Sequence, residues 1–165
     1  YNCMKEEKIK LSFITAHLSE LSKNEQQLVA NAKSAIKTAY APYSAFLVGS
    51  SVLLENGEII NGSNQENVAY PSGLCAERVA LFYAGAKYPD VKIKKIAVSV
   101  LSEGFEVTDV VSPCGACRQV MAEYEDKQEQ SIKVILHSPT DEVLIANTVE
   151  DLLPFMFKSP LLKKH

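Results

Sequence analysis

The sequence predicts an α/β protein: a three-layer α-β-α sandwich around a mixed central sheet. Three observations predict it. The hydrophobic patterning runs helix, strand hairpin, helix, strand, helix, strand, strand. A hairpin followed by β–α–β units requires a mixed sheet with helices on both faces. Hydrophobic residues make up 47% and charged residues 22% of the chain, as in soluble globular domains. Its 165 residues suit one domain at roughly 150 residues each, large enough to build a core without disulfide staples.

The elements follow in order. Lys8–Ile14 alternates polar and apolar residues, with Ile9, Leu11 and Phe13 on one side, which predicts an edge strand or extended arm. Ser22 and Glu25 form a capping box. Leu28, Val29, Ala32, Ala35, Ile36 and Ala39 then recur at helical spacing. A helix is expected over residues 23 to 40, stopped by Pro42. Phe46–Leu54 reads as a strand, Asn56-Gly57 as a hairpin turn, and Glu58–Asn61 as the return strand. Gly62–Gly73 is a loop rich in Asn, Ser, Gly and Pro, a place for a binding site. Ala76, Val79, Ala80 and Tyr83 mark a second helix ending near Gly85. Lys95–Leu101 is a strand and Gly115–Tyr124 a third helix. Ile132–Leu136 and Glu142–Ala146 are strands joined by the turn Ser138–Asp141. Thr148–Leu153 is a short terminal helix before Pro154.

Composition narrows the function. The net charge is −3, without the basic surplus of a nucleic-acid clamp. No apolar run approaches the roughly 20 residues of a membrane span. The first ten residues are charged and lack the apolar core of a signal peptide, so a reducing, cytoplasmic home is expected.

The chemistry concentrates at cysteine. Cys3 sits at the terminus and receives no role. Cys114 and Cys117 form a C-x-x-C pair, and Cys75 precedes them. A closed structural zinc site takes four protein ligands, whereas three thiols with an open position suit a catalytic zinc. A lone C-x-x-C is equally compatible with a redox dithiol or half of a structural site. Ser112-Pro113-Cys114 reads as a helix start with Ser112 as N-cap and Pro113 at the first helical position. Cys114 and Cys117 then share a face. Cys75 and Glu77 diverge in mid-helix, so they share a pocket only if Cys75 stands at the helix entrance, after Pro71-Ser72-Gly73. Two helix N-termini would then favour thiolates. Three thiolates overcompensate one Zn²⁺ and need a cationic partner. The chain has two arginines against fifteen lysines, and Arg78 and Arg118 each directly follow a cysteine motif. Arginine's planar fork suits donation to several sulfurs. Glu77, between Cys75 and Arg78, is the candidate proton shuttle.

Four segments carry a resemblance: Cys75-Ala76-Glu77-Arg78, Pro113-Cys114-Gly115-Ala116-Cys117-Arg118-Gln119, Ala41-Pro42-Tyr43-Ser44-Ala45-Phe46-Leu47-Val48-Gly49 and Asn64-Gln65-Glu66-Asn67. They resemble the small homotetrameric cytidine deaminases, whose Cys₃ zinc signature pairs three thiolates with a glutamate that is not a ligand. The resemblance spans about Glu25 to Phe157. It leaves residues 1–22 as an N-terminal extension and residues 23–165 as one catalytic domain. It implies one Zn²⁺ per chain, held by Cys75, Cys114 and Cys117. It implies hydrolysis of cytidine and 2′-deoxycytidine to uridine and 2′-deoxyuridine with release of ammonia, in pyrimidine salvage. Glu77 would protonate N3 and later the leaving amine. Asn64 and Glu66 would hold the ribose hydroxyls and Phe46 would pack beside the pyrimidine. Backbone groups near Ala76 and Cys114 would hold the base. A homotetramer would bring Tyr70 to a neighbour's site. Ser50 and Ser51 depart from the family's usual alanines. A Cys₃ deaminase of a modified cytidine or nucleoside antibiotic is the nearest rival. A redox dithiol protein and a zinc-stabilised binding domain are rivals of other classes.

Overall fold

The computed structural model describes residues 4–159 and 162. Strands β1 (Ile14–His17), β2 (Phe46–Leu54), β3 (Ile59–Ser63), β4 (Ile93–Ser102), β5 (Lys133–His137) and β6 (Glu142–Ala146) form one sheet in the order β1-β6-β5-β4-β2-β3. Only β4 and β5 run parallel; every other neighbouring pair is antiparallel. Helix α1 (Lys23–Ala35) covers one face, burying Leu28, Val29 and Ala32 with Ala97, Ile135 and Val143. Helices α2 (Ala76–Lys87) and α3 (Gly115–Gln128) cover the other, where Ala80, Leu81, Met121 and Ala122 meet Val52, Ile96, Val98 and Val134. The three layers and mixed sheet are those expected.

Two glycines set how closely the layers approach. A Cβ at Gly49 would lie 2.0 Å from the Ala32 carbonyl oxygen of α1, and one at Gly62 would lie 2.6 Å from the Ala80 nitrogen of α2. Any side chain there pushes a helix off the sheet.

Of the edge strand or extended arm expected over 8–14, only Ile14 enters a strand. β1 begins at Ile14, paired with Ile145, and ends at His17, paired with Glu142. Only Ala146 of β6 lies beyond the Ile14–Ile145 pair, so the residues before Phe13 have no β6 partner. Ser12 instead donates its N–H to Asp151 Oδ1 (2.9 Å), and Ile9, Leu11 and Phe13 stay exposed. The hairpin after β2 is a three-residue loop. Gly57 donates to the Leu54 carbonyl (3.1 Å) and takes φ +89°, a conformation glycine adopts without steric cost. The expected Thr148–Leu153 helix is a single 3₁₀ turn, Val149–Asp151, capped by Thr148.

The capping box of α1 extends into the sheet. Glu25 Oε2 accepts from the Ser22 hydroxyl (2.7 Å) and N–H (3.3 Å). Oε1 accepts from Lys95 Nζ (2.7 Å) and Lys133 Nζ (3.0 Å). These lysines are register partners on β4 and β5 and would repel each other without Glu25. Burial opposes ionisation of Glu25. The bonds from Lys95, Ser22 and Lys133 outweigh it and lower the carboxyl from 4.5 to about 2. A carboxyl depressed on folding stabilises the fold above its unfolded pKa, and that contribution is lost as pH falls from 4.5 towards 2. Glu25→Gln is therefore expected to cost about 2–3 kcal/mol at pH 7, with the difference from wild type closing only as pH approaches 2. Urea unfolding at both pH values checks this, and a pH-independent difference would refute the ion-pair account.

Candidate active site

Cys75 and Cys114 occupy equivalent positions. Each is the N-cap of its helix, with extended backbone at φ −70°, ψ 154° for Cys75 and φ −64°, ψ 163° for Cys114. Cys75 thus stands at the helix entrance, as expected. The α3 cap differs from the expectation: Cys114, not Ser112, is the N-cap, and the helix begins at Gly115. The sulfur takes over the acceptor role usually filled by a serine oxygen, receiving the Cys117 N–H at 3.5 Å. The chain therefore needs no cap from Ser112.

Among the described residues, Cys75, Cys114 and Cys117 form a cluster whose sulfurs all lie within 4.8 Å of one another. Two thiolates about 2.3 Å from a tetrahedral zinc stand about 3.8 Å apart. The Cys75 and Cys114 sulfurs are 3.8 Å apart. The donor set fits a soft divalent ion with one position left open. Cys3 lies outside the described residues.

A hydrogen bond from the Cys117 thiol, aided by Arg78 and Cys114 against the cost of burial, draws the Cys75 thiol below its ordinary range. The reciprocal bond to Cys75, then burial and the Glu77 charge, push Cys117 up. Arg78 Nη2 lies 3.8 Å from Cys75 Sγ, and that bond raises the guanidinium above its ordinary value. Arg118 does otherwise. Its Nε donates to the Pro113 carbonyl (2.8 Å) and its Nη1 to the Leu152 carbonyl (2.9 Å). Of the two arginines, only Arg78 touches sulfur. Arg118 braces the turn that delivers Cys114 by holding the Pro113 carbonyl.

Glu77 is the second helical residue of α2 and only 4% exposed. Burial foremost, and then the Cys75 charge, raises its carboxyl above the usual range, against bonds from its own N–H and the Cys117 thiol. Ala76, the first helical residue, is fully buried.

These groups open into a cavity of about 680 Å³, a volume ordinary for small-molecule sites. Cys75, Glu77, Arg78 and Cys114 line it, whereas Cys117 is buried and does not. Val98 and Val100 of β4 form part of the wall, and Phe46, Asn64, Glu66 and Tyr70 line the rest with Tyr43, Ser44 and Val111. Asn64 is buried. Its Oδ1 accepts from the Val48 N–H and its Nδ2 donates to the Phe46 carbonyl (both 2.8 Å). One amide hydrogen and one lone pair remain. Glu66 is tied to the 41–44 segment, accepting from the Tyr43 N–H (2.8 Å), the Ser44 N–H (3.3 Å) and the Ser44 hydroxyl. The Ser44 hydroxyl above all keeps this carboxyl below its ordinary range. Tyr70 is 75% exposed and meets Tyr43 edge-on at 5.9 Å.

Two features were not singled out from sequence. Ser44 braces Glu66, and the A-P-Y-S segment was the available signal. Ser99, His137 and Asp141 form a hydrogen-bond chain, with His137 contacting Ser99 Oγ and Asp141 Oδ1 at 2.9 Å each. His137 is 2% exposed, and burial holds it below its ordinary pKa despite Asp141. Ser99 alternates with Val98 and Val100, so it faces away from the cavity. The chain is structural.

Comparison with known proteins identifies what the chain resembles. Residues 22–131 match the family described as the cytidine and deoxycytidylate deaminase zinc-binding region. A cytidine deaminase from Halalkalibacterium halodurans is 38% identical over 134 residues, covering 81% of this chain and 94% of that protein. One from Sporosarcina psychrophila is 41% identical over 135 residues, covering 80% and 90%. Among solved structures, the cytidine deaminase from Burkholderia pseudomallei superposes with a TM-score of 0.69 at 36% identity, covering 80% of this chain and 98% of that one. That from Mycobacterium tuberculosis gives 0.65 at 30% identity, covering 84% and 100%.

Proposed function

The chain belongs to the cytidine and deoxycytidylate deaminase family, and on that footing we propose that it hydrolyses cytidine and 2′-deoxycytidine to uridine and 2′-deoxyuridine, releasing ammonia. It is a zinc-dependent hydrolase. The observation that carries the reading is Glu77, buried beside a three-cysteine cluster at the convergence of two helix N-termini, within a nucleoside-sized cavity.

Cys75, Cys114 and Cys117 would hold the zinc. When bound, the zinc would supply the Lewis acidity that makes water a nucleophile at neutral pH. Glu77 takes one proton from the attacking water and delivers it to N3 of the base, then carries the remaining proton of the hydroxyl added at C4 to the amino group, which departs as ammonia. The first-turn N–H groups of α2, that of Ala76 included, have no intrahelical acceptor and suit the base carbonyl. Phe46 packs against the pyrimidine. The remaining lone pairs of Asn64 and Glu66, and the free Asn64 amide hydrogen, take the ribose hydroxyls. Arg78 offsets the surplus thiolate charge.

We assign catalysis to residues 23–165, with residues 1–22 an extension whose β1 adds an edge strand. No helix among the described residues is long and apolar enough to cross a membrane. The further assignment is a cytoplasmic homotetramer in pyrimidine salvage, with Tyr70 reaching a neighbour's site.

The test is ammonia release from cytidine with and without a zinc chelator. Release that fades as metal is stripped supports the reading, and no release from metal-loaded protein refutes it. Arg78→Ala is expected to weaken zinc retention about ten- to a hundredfold, read by chelator competition. Arg78→Lys should recover part of that loss, since it restores charge without the fork. Unchanged retention in Arg78→Ala would return Arg78 to a packing role.

A further inference from the structure

Phe105 lies outside every motif that carries the family resemblance, on the segment 103–114 that joins β4 to the α3 cap. That segment serves the site at both ends. Its far end brings Val111, Ser112, Pro113 and Cys114 to the cavity wall. Its near end is a tight turn on Ser102, whose Oγ accepts from the Gly104 and Phe105 N–H groups (3.2 Å each). Glu103 donates its N–H to the carbonyl of Ala45 (3.1 Å), the residue directly before Phe46. This turn sets the Phe105 ring parallel to the Phe46 ring, with centroids 6.0 Å apart and planes 4° from coplanar. Phe46 lines the cavity. Phe105 is 58% exposed and outside the apolar core. An exposed ring held by its own backbone turn against another ring is poorly explained as core packing.

We propose that Phe105 is a positioning residue for nucleoside binding. It fixes the plane of the Phe46 ring and covers it, so that the base meets an ordered aromatic wall. Parallel, offset rings are a favoured aromatic arrangement, and ordering the wall beforehand lowers the entropy cost of binding. The inference rests on the reading that Phe46 packs against the base.

Phe105→Ala, Phe105→Tyr and Phe46→Ala are compared by steady-state cytidine kinetics, zinc content and uridine binding by calorimetry. Phe105→Ala is expected to raise KM about three- to tenfold. Its kcat should stay within about twofold, with zinc content and Tm unchanged, and the Kd for uridine should rise in parallel. Phe105→Tyr keeps the ring and should restore KM. An unchanged KM in Phe105→Ala, with a raised KM in Phe46→Ala, overturns the inference and leaves Phe46 against the base. Unchanged KM in both variants overturns both. A fall in kcat or zinc content in Phe105→Ala, without a change in KM, also overturns it, since that would place Phe105 in support of Cys114 instead.

Discussion

Glu77→Gln is expected to fold, to hold zinc and to lose about a thousandfold in kcat. The carboxyl sits 4% exposed at the second position of α2. Glutamine has the same size and shape there and carries no charge to desolvate, so packing and the cysteine cluster are preserved. What disappears is a base able to take a proton from water and return it to the substrate. General acid–base help of this kind contributes about 10²–10⁴-fold, and here one residue serves both proton transfers. Saturating kinetics on cytidine, with zinc counted by elemental analysis on the same sample, decide the matter. A variant within tenfold of wild type would remove Glu77 from the chemistry.

Cys114→Ala and Cys114→Ser separate two roles that one sulfur performs. Cys114 caps α3 through the Cys117 N–H and stands 3.8 Å from Cys75 in the proposed metal site. Alanine removes both functions, whereas serine keeps an acceptor for the cap and loses the soft donor. Both variants are expected to lose stoichiometric zinc and nearly all turnover. In the metal-free state, Cys114→Ser should be more stable than Cys114→Ala by about 1 kcal/mol. Stoichiometric zinc in either variant would remove Cys114 from the ligand set. Equal stability in the two would deny it the capping role.

Two parts of the metal cluster were legible because each is local, whereas the meeting of Cys75 with Cys114 across 39 residues is tertiary. A C-x-x-C at a helix start brings two sulfurs onto one face, and the divergence of Cys75 and Glu77 along a helix already required Cys75 to stand at an entrance. Helix α1 was legible for a similar reason, since Ser22, Glu25 and the apolar spacing from Leu28 to Ala35 lie within one segment. β6 begins and ends where the pattern placed it. β2 likewise keeps its expected bounds, whereas β3, β4 and β5 shift by one or two residues at their ends and α1 stops at Ala35 rather than residue 40. β1 departs furthest, because pairing with β6 starts only at Ile14, the last residue of the alternating stretch.

Arg78 and Arg118 looked equivalent in sequence, each following a cysteine motif. Their fates differ because only three-dimensional proximity decides whether a guanidinium meets a sulfur or the carbonyls of Pro113 and Leu152. Asn64 and Glu66 were visible as polar loop residues, but their ties to β2 and the 41–44 segment depend on how that loop crosses the sheet. The pairing of Phe105 with Phe46 was invisible, since the two are far apart in sequence and no periodicity links them. By itself, then, the sequence determined the local periodicities, most helix starts, the C-x-x-C pair and the acid beside Cys75, all interactions within a few residues along the chain. Strand order, the face each helix covers, the partner of each arginine and the aromatic wall were decided only by tertiary packing. Those depend on contacts between segments that meet only when the apolar faces of the sheet are buried on both sides.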